Sequence, residues 1–365
     1  MLNKTMFDTL YTTVHHLPEP ALRNAYFFHD IRITCHTNHP AILAMLDEML
    51  GIFPEPSKPR GEASYYVLCY EHASQFPVHL PHDRIRTDTI RLLTKTKLTW
   101  YRSRDYTTEY QSYAPLPGCN AAALTAISPD ENLALTQLEM PEHYQARFLR
   151  RYVLLMALGE LMHLYGFEPC HAAAITAPWN TQQGALIIGA SGRGKTTLSL
   201  GCAITGCGFL GDDLVMLRED IMGGTISAYA ITHEVSVRPA TIDLWQTLSF
   251  MSALPADHYG KRYCSIEQVR TGSALLQTPI RLLLFPSLTT EPQSTVTPLS
   301  KASALQELVF QCVGKGNTYP ETQERLFILL STLAEQAPGY QLTLARGASD
   351  GPQIVHSLLG TVPHD

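Results

Sequence analysis

Residues 185–204 read Ala-Leu-Ile-Ile-Gly-Ala-Ser-Gly-Arg-Gly-Lys-Thr-Thr-Leu-Ser-Leu-Gly-Cys-Ala-Ile. Within this stretch, Gly189 to Thr196 match the pattern G-x-x-x-x-G-K-[ST], which is typical of phosphate-binding loops. The aliphatic residues 185–188 before the loop predict a short buried strand, and residues 196–204 after it predict a helix. A strand, a glycine-rich loop and a helix in this order predict an α/β fold around a nucleotide phosphate site.

The loop residues also predict how a nucleotide is held. Glycines permit backbone angles that aim N–H groups at phosphate oxygens, and the start of the following helix adds a partial positive charge. We expect Lys195 to reach the β- and γ-phosphates of ATP, and the Thr196 hydroxyl to bind Mg²⁺. The predicted nucleotide-binding residues of the loop are Gly189, Ala190, Ser191, Gly192, Arg193, Gly194, Lys195, Thr196 and Thr197. The alternative is a glycine-rich turn that binds no ligand.

A pair of carboxylates follows the loop. Asp212 and Asp213 come after Gly211, the first of them 16 residues beyond Thr196, and aliphatic residues lie on both sides. Adjacent Asp residues in apolar surroundings are costly unless they have a role there. One of them can bind Mg²⁺, and the other can take a proton from an attacking hydroxyl. Because neighbouring residues on a strand face opposite ways, a kink or a strand end is needed to present both. The alternative is that one Asp caps or hydrogen-bonds locally.

Length and composition exclude several classes of protein. The 365 residues predict about two domains, and 45% hydrophobic residues can supply a core. A net charge of −6 argues against a general nucleic-acid binder, which needs a basic surface. Charged residues interrupt the most apolar segment, 148–167, which predicts a buried helix and no membrane partner. The first residues lack the apolar stretch of a signal peptide, and the eight cysteines show no Cys-x-x-Cys spacing, so we expect reduced thiols in a cytoplasmic protein.

Two domains are predicted from the change of pattern along the chain. Residues 1–142 read as a strand-rich α+β domain, with a predicted role in substrate recognition, and residues 143–365 as an ATP-binding catalytic domain. In the N-terminal domain we predict strands over 30–36, 65–70 and 90–101 and a helix over 41–49. A long helix is predicted over 141–165, with α/β structure after it.

The first domain contains one strongly basic stretch. Between His82 and Tyr106 lie Arg84, Arg86, Arg91, Lys95, Lys97, Arg102 and Arg104, together with Trp100 and Tyr101. The stretch is typical of a solvated strand face. The alternative is a surface that binds an acidic peptide or partner.

The loop and the Asp pair together resemble the catalytic domain of the HPr kinase/phosphorylase family and its relatives. The resemblance covers residues 145–360, and His171 occupies the position of the family's His on the strand before the loop. Residues 237–239, 281–286 and 297–300 are also similar. The resemblance implies an α/β fold with an HPr kinase/phosphoenolpyruvate carboxykinase-like P-loop core, beside the strand-rich N-terminal domain.

The resemblance also implies an activity. It is phosphoryl transfer from ATP, with Mg²⁺, to a serine-type hydroxyl of a peptide, protein or small molecule. By analogy Asp212 is the general base, Asp213 binds the metal, and His171 supports the Asp pair or the phosphate. Arg238, Lys261 and Arg262 are candidates for contacts with the γ-phosphate or the substrate, with Arg238 in a catalytic role. The alternative for each is an ordinary surface or core position.

The chain departs from the family in one signature. The family has Glu-x-Arg after the Asp pair, whereas here Glu234 lies four residues before Arg238. We find no segment that supports phosphorylase activity, so the reverse reaction is not predicted. The chain is closer to relatives that phosphorylate peptide natural-product precursors or free serine.

Other functions remain as alternatives. The chain could be a non-catalytic nucleotide-binding sensor or scaffold, although an intact Lys195 and Asp pair argue against it. A phosphoenolpyruvate carboxykinase-like lyase is disfavoured, because the chain is shorter than those enzymes and lacks their separate metal-binding and carboxylate-binding motifs. A transporter ATPase is disfavoured, since no Leu-Ser-Gly-Gly signature is present. The sequence leaves homo-oligomer formation open.

Overall fold

The chain is mixed α/β and divides into two compact units. The computed structural model describes residues 10–17, 20–80, 85–91, 97–102, 109–114, 122–140, 146–220, 224–257, 260–312, 320–347 and 349–362. By contacts between residues, one unit ends at Phe167 and the other begins at Glu168.

The first unit is built on an eight-stranded sheet with strand order β1-β2-β3-β8-β7-β6-β5-β4. Its strands are β1 (Leu22–Phe28), β2 (Ile31–Thr37), β3 (Gly61–Tyr70), β4 (Ile85–Arg91), β5 (Lys97–Arg102), β6 (Glu109–Ala114), β7 (Ala123–Ser128) and β8 (Leu133–Glu139). The pairs β2–β3 and β3–β8 are parallel, and the other pairs are antiparallel.

Helices cover part of this sheet. They are α1 (Leu10–His15), α2 (Pro40–Leu50), α3 (Ala146–Phe148) and α4 (Leu155–His163), with a 3₁₀ turn at Ala73–Gln75 and a π-helical segment at Leu149–Leu154. The segment from α3 to α4 confirms the predicted long helix over its described part, since 141–145 lie outside the described residues. Leu158 and Leu161 are buried, and α4 packs against β7 and β8.

The predicted elements of this unit are confirmed except one. Strand β2 and helix α2 match the predictions for 30–36 and 41–49, and β3 includes the strand predicted over 65–70. The single strand predicted over 90–101 is wrong, because β4 and β5 pair antiparallel with Arg91 opposite Lys97. No Gly or Pro marks the reversal in the sequence. Arg84, Lys95 and Arg104 of the basic stretch lie outside the described residues, so a binding role for that surface stays a prediction.

The second unit contains a nine-stranded sheet. Its main path has the order β12-β10-β11-β17-β14-β13-β9, with β19 paired to β17 and β18 paired to β19. The strands of the unit are β9 (Glu168–Cys170), β10 (Ala172–Ala177), β11 (Asn180–Ile188), β12 (Gly208–Gly211), β13 (Val215–Glu219), β14 (Ile226–Tyr229), β15 (Glu234–Val237), β16 (Arg262–Ser265), β17 (Gln277–Thr289), β18 (Thr295–Leu299) and β19 (Gly339–Ala345). Strands β15 and β16 form a separate antiparallel ribbon.

Helices lie on both faces of this sheet. They are α5 (Lys195–Ile204), α6 (Pro239–Leu244), α7 (Ile266–Val269), α8 (Lys301–Cys312), α9 (Pro320–Gln336) and α10 (Gly351–Thr361), with a 3₁₀ helix at Gln246–Ala253. Alternate residues of β11 enter two different cores. Ile187 packs in the core that contains Leu198 of α5 and Val355 of α10. Ile188 packs in the core that contains Leu308 of α8 and Leu330 of α9. The strand is therefore buried on both sides, which explains its continuous aliphatic sequence.

Two further expectations concern membranes and thiols. Within the described residues, no helix combines the length and the apolar character needed to span a membrane. The described cysteines are free thiols: Cys35, Cys69, Cys170, Cys202, Cys207, Cys264 and Cys312. The sulfur atoms of Cys170 and Cys312 lie 3.0 Å apart. This hydrogen bond and burial raise the pKa of Cys170 well above its ordinary value, which favours the protonated thiol.

Candidate functional site

The phosphate loop runs from the end of β11 to the start of α5, as predicted. Gly192 and Gly194 have φ angles of 84° and 96°, a left-handed region that residues with a side chain rarely adopt. Lys195 is only 6% exposed. Its Nζ donates to the carbonyl of Gly189 at 2.6 Å and lies 3.4 Å from the carbonyl of Ala190. The ammonium is thereby held inside the loop, beside the N-terminus of α5.

The two threonines after Lys195 have different surroundings. Thr196 is half-buried at the second position of α5. The Thr197 hydroxyl lies 2.7 Å from the Thr241 hydroxyl, and the Thr197 carbonyl accepts a hydrogen bond from Trp245 Nε1 at 3.2 Å. Thr197 therefore fixes α5 against the segment that follows β15, and its role at the nucleotide stays a prediction.

His171 lies beside the loop because of strand register. It immediately precedes β10, and Ala172 at the start of β10 pairs with Ile188 at the end of β11. His171 Nδ1 lies 2.7 Å from the Asp213 carbonyl oxygen and 3.3 Å from Asp213 Oδ1, and its Nε2 lies 3.3 Å from Lys195 Nζ. A proton on Nδ1 satisfies the contacts with Asp213, and an unprotonated Nε2 accepts from the ammonium. The imidazole thus connects Lys195 to Asp213.

The Asp pair occupies the bend that its chemistry requires. Strand β12 ends at Gly211 and β13 begins at Val215, so both carboxylates lie outside regular strand. Asp212 is buried, with 5% of its surface exposed, whereas the Asp213 side chain is 28% exposed. The two carboxylates face different partners. This separation fits two roles better than one shared role.

Asp212 contacts a residue that the sequence did not single out. Its Oδ2 accepts from the Ser236 backbone N–H at 3.3 Å and from the Ser236 hydroxyl at 3.4 Å. Lys261 Nζ donates to the same hydroxyl at 3.5 Å. A signal was present, because Ser236 lies two residues before Arg238, at the spacing of the Glu-x-Arg signature.

The ribbon of β15 and β16 carries these contacts. Val235 and Val237 enter a hydrophobic core, so Ser236 between them points the other way. Asp257 anchors the ribbon near Lys261, because its Oδ1 accepts from the Lys261 backbone N–H at 2.8 Å and its Oδ2 accepts from the Tyr263 hydroxyl. Sequence reasoning missed Asp257, whose partner Lys261 lies four positions later, immediately before β16.

The remaining predicted site residues lie around this centre. Arg193 in the loop and Arg238 at the start of α6 are exposed. Arg262 Nε donates to the Leu254 carbonyl at 3.0 Å, which gives this guanidinium a structural contact. Glu234 lies at the start of β15, two residues before Ser236. Lys261 is thus connected to Asp212 through the Ser236 hydroxyl, whereas Arg262 Nε donates to a backbone carbonyl.

The donor set fits Mg²⁺ bound together with phosphate. In the part of the chain that the structure describes, no three His, Cys, Asp or Glu side chains form a metal cluster. Mg²⁺ is usually held by one or two carboxylates together with phosphate oxygens and water. The Thr196 hydroxyl and the Asp213 carboxylate are hard oxygen donors of this kind.

Comparisons with known proteins place the chain in no family. No family model matches the sequence, and no curated protein matches it. Among solved structures, the chain is similar to the HPr(Ser) kinase/phosphatase of Coxiella burnetii, with 12% identity and a TM-score of 0.31. The match covers 53% of this chain and 88% of that one. A likeness of this size carries no argument about fold or activity, so the function rests on the site itself.

Proposed function

We propose that the chain is an ATP- and Mg²⁺-dependent kinase that phosphorylates a serine-type hydroxyl of a peptide, protein or small molecule. One observation carries the proposal. Lys195, held inside a phosphate-binding loop, contacts His171, and His171 contacts Asp213 in the bend that also contains Asp212. A phosphate-binding cation and two separately held carboxylates are the groups that phosphoryl transfer requires.

The loop and its helix bind the nucleotide. Backbone N–H groups of residues 189–196 and the N-terminus of α5 surround the β- and γ-phosphates, and Lys195 adds a positive charge. Thr196 and Asp213 hold Mg²⁺, which when bound neutralises charge on the phosphate oxygens. His171 orients both Asp213 and Lys195. In this proposal Arg238 and Lys261 act where the acceptor meets the γ-phosphate.

Asp212 acts as the general base for the acceptor hydroxyl. The acceptor oxygen attacks the γ-phosphorus while its proton passes to the Asp212 carboxylate. The bond between the γ-phosphorus and the bridging oxygen breaks, and ADP leaves with the electron pair. Positioning and charge stabilisation supply most of the acceleration, and Lys195 stabilises the charge that develops on the transferred group.

The proposal also gives a role to each of the two predicted domains. Residues 1–142 recognise the acceptor and residues 143–365 carry out catalysis. Acceptors include precursors of peptide natural products. The acidic net charge and the free thiols support a cytoplasmic protein without nucleic-acid or membrane partners.

The test is to find where the γ-phosphate goes. The protein is incubated with Mg²⁺, γ-labelled ATP and the peptides and proteins encoded beside its gene, and mass spectrometry locates the label. We expect a phosphorylated serine-type hydroxyl, lost in Lys195→Ala and retained in Lys301→Ala, which changes an exposed lysine on α8. Binding of ATP without transfer would favour a sensor, and ADP release that depends on oxaloacetate would favour a lyase.

A further inference from the structure

Ser236 connects two charged groups, Asp212 and Lys261, through hydrogen bonds. Its backbone N–H and its hydroxyl both donate to Asp212 Oδ2, at 3.3 and 3.4 Å. Its hydroxyl oxygen accepts from Lys261 Nζ at 3.5 Å. The hydroxyl contacts form a chain: Lys261 donates to the Ser236 hydroxyl, and this hydroxyl donates to Asp212.

The direction of this chain matters chemically. Lys261 has only donors and an ionised Asp212 has only acceptors, so the hydroxyl must accept from one and donate to the other. A hydroxyl that accepts from an ammonium becomes a stronger donor, because hydrogen bonds in a chain polarise one another. The positive charge of Lys261 thereby acts on the Asp212 carboxylate through the Ser236 hydroxyl.

The surrounding structure holds these groups in place. Ser236 is 5% exposed, and strand β15 fixes it between two valines in the core. Asp257 binds the backbone N–H of Lys261 at 2.8 Å, and Tyr263, the register partner of Ser236 on β16, binds the same carboxylate. A side chain that is locked by its neighbours keeps a catalytic group within a narrow range of orientations.

We propose that Ser236 is the positioning residue of the general base Asp212 and that Lys261 acts on the base through Ser236. The inference rests on the proposed kinase function and adds the device that orients its base. Two donors hold Oδ2 and so fix the orientation of the carboxylate that takes the proton from the acceptor hydroxyl. Lys261 thus belongs to the acceptor side of the reaction and contributes little to the affinity for ATP.

A double-mutant cycle tests the chain of contacts. Ser236→Ala, Lys261→Met and the double variant are assayed with Mg·ATP and the acceptor labelled in the experiment above. We expect each single variant to lose about tenfold in kcat with an unchanged KM for ATP. Because Lys261 acts through Ser236, we expect the double variant to lose no more than the worse single variant. Matched controls are Ser357→Ala on α10 and Lys301→Met on α8, both at exposed positions.

A second pair of variants separates chemistry from packing. Threonine and valine have nearly the same shape, and both suit a strand, but only threonine keeps the hydroxyl. We expect Ser236→Thr to retain more kcat than Ser236→Val, and the assay is run below the thermal unfolding midpoints of both variants, so that both are folded.

The outcomes distinguish this inference from the kinase proposal. A wild-type chain that transfers no phosphate to any acceptor overturns both. An active wild type with unchanged kcat in Ser236→Ala, multiplicative losses in the cycle, or equal kcat in the Thr and Val variants overturns the positioning role alone.

Discussion

The phosphate loop and the β15–β16 ribbon meet at the Asp pair, but they are built differently. The loop is one continuous stretch, 189–196, whose contacts with Lys195 are local in sequence. The ribbon brings Ser236 and Lys261 to Asp212 from positions 24 and 49 residues away. Asp213 faces the loop through His171, whereas Asp212 faces the ribbon. In the proposed kinase, nucleotide binding and proton transfer are therefore divided between two structures that share one bend.

The largest effect is expected from Lys195→Ala. This change removes the cation within the loop, so phosphoryl transfer should fall by about 10²–10³-fold and the affinity for ATP should weaken. Isothermal titration with Mg·ATP and a transfer assay measure both quantities, with Lys301→Ala as the control. Unchanged ATP affinity in Lys195→Ala would show that the loop does not bind the nucleotide.

The two aspartates should separate the loop from the ribbon. In Asp212→Asn we expect transfer to fall by about 10²-fold or more while ATP affinity stays close to wild type, because the lost group handles the acceptor proton. In Asp213→Asn we expect a higher Mg²⁺ concentration for half-maximal activity, because a metal ligand is lost. Titration of activity against Mg²⁺ distinguishes the two. An identical Mg²⁺ dependence in both variants would contradict the assignment of metal binding to Asp213 and proton transfer to Asp212.

The sequence could predict the loop side of the site better than the ribbon side. Lys195 and Thr196 belong to a motif whose spacing is fixed by backbone geometry, so the residues alone locate them. The Asp pair was singled out by its apolar surroundings, whereas His171 and the separate roles of Asp212 and Asp213 came from a family resemblance. Strand register explains why these residues meet. Ser236 was missed because its contact with Lys261 depends on how two short strands pair across a connection of 24 residues. Asp257 was missed because no motif marks its local contacts with Lys261 and Tyr263. Arg262 was singled out by its charge; its Nε donates to a backbone carbonyl, and a contact with phosphate or substrate stays a prediction.

The free energy of unfolding should be sensitive to the contact between helix α5 and the segment that connects β15 to β16. A Cβ on Gly201 would lie 2.4 Å from Trp245 Cζ2 and 2.9 Å from Pro352 Cγ, and Trp245 belongs to the segment between β15 and β16. We expect Gly201→Ala to lower the free energy of unfolding by about 1–3 kcal/mol, because the ring must move. In the control Gly360→Ala, the added Cβ would lie 3.9 Å from Trp179 Cζ2, an ordinary contact distance, so stability should change little or rise. Urea unfolding measures both, and equal stability of the two variants would contradict the close packing at Trp245.

The smallest effect concerns the loop that follows the ribbon. Glu267 of α7 accepts from the backbone N–H groups of Gly272 and Ala274, each at 2.8 Å, and these hydrogen bonds lower the pKa of its carboxyl from the ordinary 4.5. A lowered folded-state pKa adds stability that is complete above the unfolded value and is lost as the pH falls through the folded value. We therefore expect Glu267→Gln to cost about 0.5–1 kcal/mol at pH 7, and this difference from wild type should shrink below about pH 4.5. Urea unfolding at both pH values measures it, with the exposed Glu291→Gln as the control. A stability difference that does not change with pH would mean that the ionised carboxylate does not hold this loop. We expect kcat of Glu267→Gln to equal that of wild type, because Asp257 anchors the ribbon independently of Glu267.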